Sequence, residues 1–254
     1  MLSRLLREFL YYLVHLIVNV LVSLKHCYRR FHNKNHCLSQ KQVTKTDVLT
    51  LLEKVPKLQK SLKHLVVLTN TDVHSTSDLA KLVIWSLIVG VPYVSFYDIT
   101  GNLKTKEKDL FFEIEKNKKG IPGCIKWSNK RQLNGYTYGV QGNTVYINIF
   151  SYSDGKPKIV NCVKDIAEDK LFCERSSDEF TANEFDEALR KHYPNIPEPE
   201  LVLYTGPLCC TNGLLPWQIR LSEFVQISYN NNINVNNFLG ALNKYCKCDQ
   251  RFGK

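Results

Sequence analysis

The sequence predicts an α/β protein in which a parallel β-sheet is flanked by helices and preceded by an N-terminal transmembrane helix. Three observations lead to this class. Short apolar runs alternate with helical periods from residue 64 onward, an uncharged apolar stretch occupies residues 9–24, and basic residues are concentrated near the N-terminus. The 254 residues are enough for one sizeable globular domain with an appendage.

Lysine and arginine are distributed unevenly along the chain. Residues 1–63 contain twelve of them against three acidic residues, a net charge of +9, whereas the other 191 residues add only +1 to the total of +10. No basic stripe is left on the folded part for a nucleic-acid groove, so we expect no nucleic-acid partner. The basic segment instead suits the anionic surface of a membrane.

The apolar stretch FLYYLVHLIVNVLVSL (9–24) predicts a membrane anchor. Its sixteen residues are fewer than the ~20 needed to cross the hydrocarbon core of a bilayer. The length is still workable, because the side chains of Arg7 and Lys25 can extend to the membrane surface and the endoplasmic reticulum bilayer is thin. No small-x-small site follows the stretch, which disfavours a cleaved signal peptide, and an interfacial helix remains the alternative. More positive charge follows the stretch than precedes it, which places the C-terminal side in the cytosol.

The chain divides into an anchor (1–25), a basic juxtamembrane linker and helix (26–60) and a globular domain (61–254). The linker contains HCYRRFHNKNHC, whose residue types could bind zinc, but paired Cys-x-x-Cys ligands are missing and we interpret it as a plain linker. Palmitoylation of Cys27 or Cys37 is a hypothesis for this segment. The nine cysteines are odd in number and scattered, which favours reduced thiols in a cytosolic domain.

The elements of the globular domain follow from apolar periodicity and capping residues. A helix broken at Pro56 comes first, and further helices are expected at 76–90, 108–118, 156–166 and 181–193, from about 215, and at 235–246. Strands are expected at 64–68, 92–98, 143–151 and 199–206. Ligands of such sheets bind beyond the carboxyl ends of the strands.

The common nucleotide and hydrolase motifs are absent. The sequence has no Gly-x-Gly-x-x-Gly, no Gly-x-x-x-x-Gly-Lys-Ser/Thr and no Gly-x-Ser-x-Gly. Asp72 and Asp98 lie near strand ends where a metal-binding acid could belong, yet a turn or helix-capping role is favoured for both. Trp217 and Arg220 could form a substrate clamp, but a core tryptophan and a solvated or interface arginine are the more ordinary interpretation.

The segment PELVLYTGPLCCTNGLLPWQIRLSEF, the late helix and the terminal RFGK together resemble the Nogo-B receptor family. This family is the non-catalytic, accessory subunit of eukaryotic cis-prenyltransferase, the dehydrodolichyl diphosphate synthase complex. The likeness extends through HLVVLTN, DLAKLVIWSLIVGVPYVSFYD and the SDGK turn, so it covers roughly residues 60–254. It implies a cis-prenyltransferase fold, similar to undecaprenyl diphosphate synthase.

The resemblance also implies a subunit that is inactive alone. Active relatives carry an aspartate for Mg²⁺ after the first strand, where this chain has Asn70, and a neutral amide is a much poorer ligand. Tyr204 and Cys210 stand where active relatives have two arginines, and Leu208 replaces a glutamate. The substrate diphosphate would therefore lose two bidentate contacts, and we expect no metal site in this chain.

The resemblance assigns the catalytic contribution to the C-terminal Arg-x-Gly. Arg251 and Gly253, with Phe252 between them, are expected to bind isopentenyl diphosphate in the active site of a catalytic partner that holds the Mg²⁺. The implied activity is that of a ditrans,polycis-polyprenyl diphosphate synthase, extending farnesyl diphosphate for dolichol synthesis and protein glycosylation at the endoplasmic reticulum membrane. Pairing of heterodimers stays open, and the alternative is a membrane-anchored receptor or scaffold that keeps the fold.

Overall fold

The computed structural model describes residues 2–36, 43–71, 74–128, 142–168, 180–193, 196–228 and 233–249. The chain forms two compact units, Met1–Lys41 and Gln42–Lys254. The helices are α1 (Leu2–His36), α2 (Lys45–Lys54), α3 (Thr76–Val89), α4 (Asn102–Thr105), α5 (Glu107–Lys118), α6 (Lys156–Glu168), α7 (Ala182–Arg190) and α8 (Val235–Cys246). The strands are β1 (His64–Thr69), β2 (Tyr93–Asp98), β3 (Cys124–Trp127), β4 (Thr144–Phe150), β5 (Leu201–Thr205) and β6 (Glu223–Ser228).

The N-terminal unit is the single helix α1. Within it, the 19 residues Leu6–Leu24 are long and apolar enough to cross a membrane, and none of their side chains is buried within the protein. At 1.5 Å per residue this stretch spans about 28 Å, close to the hydrocarbon thickness of a bilayer. Cys27 is exposed, while Cys37 lies outside the described residues, and the palmitoylation of either thiol stays a prediction.

The globular unit is built on a six-stranded sheet in the order β3-β4-β2-β1-β5-β6. Every neighbouring pair is parallel, which confirms the parallel sheet predicted from the alternation of strands and helices. The central strands are buried on both faces, as the continuous apolar runs indicated. Strand β3 was not predicted, since four residues at a sheet edge are too short to show a period.

The first face of the sheet is covered by α2, α3, α5 and α8, which share its larger apolar core. The side chain of Ser75 caps α3 by accepting a hydrogen bond from the Asp78 N–H at 3.1 Å, one residue before the predicted cap. Gly90 ends the helix with φ of 87°, a left-handed conformation that other residues adopt at a cost. Trp85 of α3 lies 5.7 Å from the ring of Phe238 in α8.

The second face is covered by α6, α7 and the crossover that connects β5 to β6. A smaller cluster lies beneath them, formed by Val66, Tyr97, Phe150, Val202, Leu214 and Leu215. Gly155, at the start of α6, packs so closely on this crossover that a Cβ there would stand 2.2 Å from the carbonyl oxygen of Gly213. The SDGK turn therefore needs glycine for a close approach between two backbones.

The helix predicted to begin near residue 215 is wrong. Residues 215–222 form turns, and the chain enters β6 at Glu223, which pairs with Leu201 of β5. Pro216 interrupts the helical period here, and in β6 the inward-facing Val225 and Ile227 alternate with the half-buried Gln226. The spacing of the apolar residues between Leu214 and Phe224 is compatible with a helix, but in the structure these residues lie in the crossover and at the start of β6.

Candidate functional site

The carboxyl ends of β1, β2 and β5 form the edge where a sheet of this kind binds ligands. Asn70 follows β1 directly and is exposed at this edge. Its backbone N–H donates to Nδ1 of His74 at 3.1 Å, and its carbonyl oxygen accepts from the His74 N–H at 2.8 Å. These two hydrogen bonds close the turn that begins at Asn70, so its polar backbone groups face inward.

His74 connects this turn to the neighbouring strand. Its side chain is buried, and Nε2 lies 3.0 Å from the hydroxyl oxygen of Thr205 at the end of β5. Because Nδ1 accepts the Asn70 N–H, Nε2 carries the proton and donates to Thr205. Burial lowers the pKa of His74 to about 4 against a smaller opposing effect of Asp78, so the imidazole is neutral at pH 7.

The N-terminus of α3 already has an anionic group beside it. Asp78 accepts a hydrogen bond from the hydroxyl of Ser75 at 2.7 Å and pairs with Nζ of Lys81 at 2.9 Å. Lys81 is itself buried by this arrangement. A carboxylate in the first turn satisfies the positive end of the helix dipole, which otherwise favours phosphate groups.

Asp98 has the turn-forming role that the sequence favoured. Its carboxylate is fully buried at the end of β2 and accepts from the hydroxyl of Thr100 at 2.8 Å and from the Leu103 N–H at 2.8 Å. The group therefore fixes the β2–α4 connection and has few lone pairs left for a metal ion. Asp72 lies outside the described residues.

The β5 end of the site lacks the cations that a diphosphate needs. Tyr204 is half-buried, and Leu208 is 80% exposed. The thiol of the exposed Cys210 donates to the Asn212 side chain at 3.0 Å. Among the described residues, no group of three or more His, Cys, Asp or Glu could hold a metal ion. The site thus gathers Asn70, Tyr204 and Cys210 at one edge, where His74 closes the turn after β1.

His74 was missed by sequence reasoning, although it holds this edge together. It precedes a helix cap in the polar run HSTSD, where an imidazole is ordinarily solvated. Only the pairing of β1 with β5 brings Thr205 within reach, so the signal in the sequence was too weak to find it.

Trp217 is not the core tryptophan that the sequence favoured, since it is 36% exposed. Trp217 lies on the crossover, where its indole N–H donates to Asp186 of α7 at 3.1 Å and its ring is 4.7 Å from that of Phe185. Arg220 is exposed. Ile219 and Phe224 pack against the smaller core cluster.

The C-terminal helix ends at the opposite edge of the sheet. Tyr245 and Cys246 line a cavity of about 220 Å³ together with Leu62 and Val91, which precede β1 and β2. The ammonium group of Lys60 lies 4.2 Å above the Tyr245 ring. Arg251, Phe252 and Gly253 lie outside the described residues, so their assignment stays a prediction.

Similarity to known proteins decides the family. No family model matches the chain. The mouse protein Nus1, a dehydrodolichyl diphosphate synthase complex subunit, is 34% identical over 208 residues, which are 79% of this chain and 68% of the mouse protein. The chain belongs to the Nus1 family. The human NUS1 subunit is 33% identical over 183 residues, which cover 71% of this chain and 62% of the human protein.

Other relatives agree with the Nus1 assignment. The NUS1 subunit of Saccharomyces cerevisiae is 26% identical over 246 residues, 87% of this chain and 64% of the yeast protein. This Nus1-family chain therefore spans about two thirds of the length of its curated relatives. A solved lavandulyl diphosphate synthase from Lavandula x intermedia, in complex with dimethylallyl diphosphate, matches with a TM-score of 0.53 at 14% identity. The match covers 76% of this chain and 98% of the plant enzyme, and shows that the Nus1-family chain has a cis-prenyltransferase fold.

Proposed function

We propose that this chain is the non-catalytic subunit of a heteromeric cis-prenyltransferase at the endoplasmic reticulum membrane, with its globular unit in the cytosol. Together with a catalytic partner it would add isopentenyl diphosphate units in cis to farnesyl diphosphate. The product would be a long-chain polyprenyl diphosphate for dolichol synthesis and protein glycosylation. The observation that carries the proposal is the closed carboxyl edge, in which Asn70 follows β1 and His74 joins its turn to β5.

The isolated chain is expected to be inactive for three independent reasons. The amide of Asn70 replaces a carboxylate, Tyr204 and Cys210 replace cations, and the N-terminus of α3 is already occupied by the Asp78 carboxylate, which is paired with Lys81. A substitution that reverses one of these three differences leaves the other two in place. The described residues at this edge offer no ligand set for Mg²⁺, and in the proposal the ion belongs to the partner's site, where it would assist ionisation of the allylic diphosphate.

The catalytic contribution of this chain is assigned to its C-terminal residues. A guanidinium group binds a diphosphate through two parallel hydrogen bonds, so Arg251 would hold isopentenyl diphosphate still while charge develops on the leaving group. Gly253 would offer a backbone N–H that no side chain obstructs, and Phe252 would pack beside the substrate. The end of α8 supports action in a second subunit, because a tail leaving near Lys60 would have to retrace the length of β1 to reach Asn70.

A partner surface is available on the second face of the sheet. Val160 and Val163 of α6 are 51% and 50% exposed, although they belong to the apolar stripe of that helix. Tyr152, Phe180 and Trp217 on neighbouring segments are also exposed large side chains. Exposed apolar groups of this extent are typical of a protein–protein interface. The name of the mouse relative, a complex subunit, supports a partner subunit, and in the proposal that partner is catalytic.

The test is incorporation of isopentenyl diphosphate by the full chain alone, by the full chain with its catalytic partner, and by that complex carrying Arg251→Ala. We expect activity only in the complex and a loss on the order of a hundredfold in the variant, since one diphosphate contact is worth roughly 2–4 kcal/mol in the transition state. Lys247→Ala is the matched control, because it removes an exposed cation four residues earlier. Full activity of Arg251→Ala would favour a membrane-anchored receptor or scaffold instead.

A further inference from the structure

Helix α2 packs against the core of the globular unit but exposes two of its leucines to solvent. Leu49 and Leu52 are 67% and 57% exposed, whereas Leu51 on the opposite side is fully buried in the core. Lys45, Leu49 and Leu52 are spaced i, i+4 and i+7, so they share one face of the helix, which we name the α2 ridge. Leaving these leucines in water forgoes the free energy that their burial elsewhere would provide.

The orientation of the α2 ridge is rigidly fixed to the globular unit. Thr44 and Asp47 form a capping box at the first turn, and the Val43 N–H donates to the side chain of Asn117 in α5 at 2.8 Å. The side chain of Asn117 in turn donates to the Glu113 carbonyl oxygen at 2.7 Å. Any surface that binds the α2 ridge therefore orients the whole globular unit.

The surroundings of the α2 ridge are basic. Residues 43–63 contain five lysines (Lys45, Lys54, Lys57, Lys60 and Lys63) and two acidic residues, Asp47 and Glu53. Asp47 is engaged in the capping box, and the Glu53 carboxylate lies 3.6 Å from Nζ of Lys57. Apolar side chains bordered by lysine are typical of a helix that lies at an anionic membrane surface.

The chain itself keeps α2 near a membrane. Helix α1, with its candidate membrane span, ends at His36, and α2 begins at Lys45. The eight residues between them extend over at most about 30 Å. A tether of this length makes the local concentration of a membrane surface very high, so that even a small contact is populated.

We propose that the α2 ridge rests on the anionic surface of the bilayer that holds α1, with Leu49 and Leu52 at the boundary between headgroups and acyl chains. The exposed ammonium group of Lys45, on the α2 ridge itself, lies against lipid phosphates. This contact is independent of prenyl transfer and fixes which side of the globular unit faces the membrane.

Tryptophan fluorescence of the full chain in nanodiscs tests this contact. Leu49→Trp and Leu52→Trp each add one indole on the α2 ridge, and Phe112→Trp adds one at a control position on α5 that is 68% exposed. The wild-type signal, which comes from Trp85, Trp127 and Trp217, is subtracted. The discs contain acyl-brominated lipids, which quench indoles at the membrane boundary, and about 30% anionic headgroups.

We expect the added emission of the two α2 variants to fall about twofold in brominated discs, while that of Phe112→Trp stays nearly unchanged. The triple substitution Lys45→Glu, Lys54→Glu and Lys57→Glu should reverse most of this quenching. Equal emission with and without bromine, or equal quenching at Phe112→Trp, overturns the proposal. Protection of the α2 indoles from aqueous acrylamide only after the catalytic subunit binds would show a protein surface instead, and also overturns it. All replaced side chains are exposed, so circular dichroism should report an unchanged fold.

Discussion

At the scale of single residues, the proposed loss of catalysis in this subunit would involve more than one replaced metal ligand. Asn70 has an inferior ligand atom, but its turn is also closed by His74, whose neutral imidazole spans from the Asn70 N–H to Thr205. The hydrogen-bond donors that could bind a phosphate are thus engaged within the protein. These hydrogen bonds hold the turn in place, while Asn70 itself stays exposed at the edge.

Asn70→Asp is therefore expected to leave the isolated chain inactive. The new carboxylate supplies one metal ligand, yet Tyr204 and Cys210 still provide no cation for the diphosphate. The measurement is Mg²⁺-dependent incorporation of isopentenyl diphosphate by the purified variant without a partner. Incorporation above background would show that the metal position alone had been missing.

Two buried histidines predict how stability depends on pH. His64 donates to the Pro197 carbonyl oxygen and accepts from the Ser95 hydroxyl, each at 2.7 Å, and burial lowers the pKa of His64 and of His74 to about 4. An unfolded imidazole has a pKa near 6.5, so the unfolded state binds more protons between pH 4 and 6.5. The contribution of the two neutral imidazoles to the free energy of unfolding is complete above about pH 7. It is lost as the pH falls through this window.

Between pH 7 and pH 5, the free energy of unfolding is expected to fall by about 2 kcal/mol for each imidazole. It is measured by chemical denaturation of the full chain in detergent at both pH values. His74→Asn, which keeps a polar side chain of similar reach, should show a smaller difference between the two conditions. An identical difference in the variant would mean that His74 is not buried in its neutral form.

At the scale of elements, helix α8 joins the core to the C-terminal residues. Its apolar stripe was predicted from the sequence, and Phe238, Leu239, Leu242 and Tyr245 are all buried. The opposite side carries the exposed Asn243 and Lys244. A helix fixed along one side in this way can hold the segment that follows it in one direction.

Leu242→Asp should lower the activity of the complex because it places an unpaired carboxylate in the core, at a cost of several kcal/mol, and so displaces Arg251. Asn243→Asp is the matched control, since it adds the same charge at the adjacent exposed position. Activity is measured by isopentenyl diphosphate incorporation, and co-purification with the partner checks that the complex still forms. Normal activity of Leu242→Asp would refute the idea that α8 positions the tail.

At the scale of the whole molecule, the two faces of the sheet have different roles. The first face is packed by α2, α3, α5 and α8 around the larger core, whereas the second face carries exposed apolar side chains on α6 and near α7. The proposed membrane contact lies on α2 and the proposed partner contact on α6. These two surfaces belong to separate elements, so they can be tested separately.

The double variant Val160→Asp and Val163→Asp should weaken co-purification with the catalytic subunit about tenfold or more, because two charges would be buried in an apolar interface. Both side chains are half exposed, so the fold of the chain should be retained. Leu49→Ser is the control, as it changes an exposed apolar residue on α2. If the double variant recovers as much of the partner as the wild type does, the interface does not include this surface of α6.

The sequence by itself determined the α/β class, the apolar N-terminal stretch, most of the strands and helices, and the family. These properties depend on local periodicity and on motifs of consecutive residues, which can be read along one chain. The sequence misplaced a helix at residues 215–222 and missed both β3 and β6, because the stability of a crossover and of edge strands comes from pairing with distant segments.

Only the tertiary structure decided how the candidate site is closed. His74 and Thr205 are 131 residues apart, and only the pairing of β1 with β5 brings them together. The structure likewise decided which apolar residues stay exposed, since Leu49 and Leu51 are identical in sequence character but lie on opposite sides of α2. Burial depends on how elements pack in three dimensions, and no local pattern contains that information.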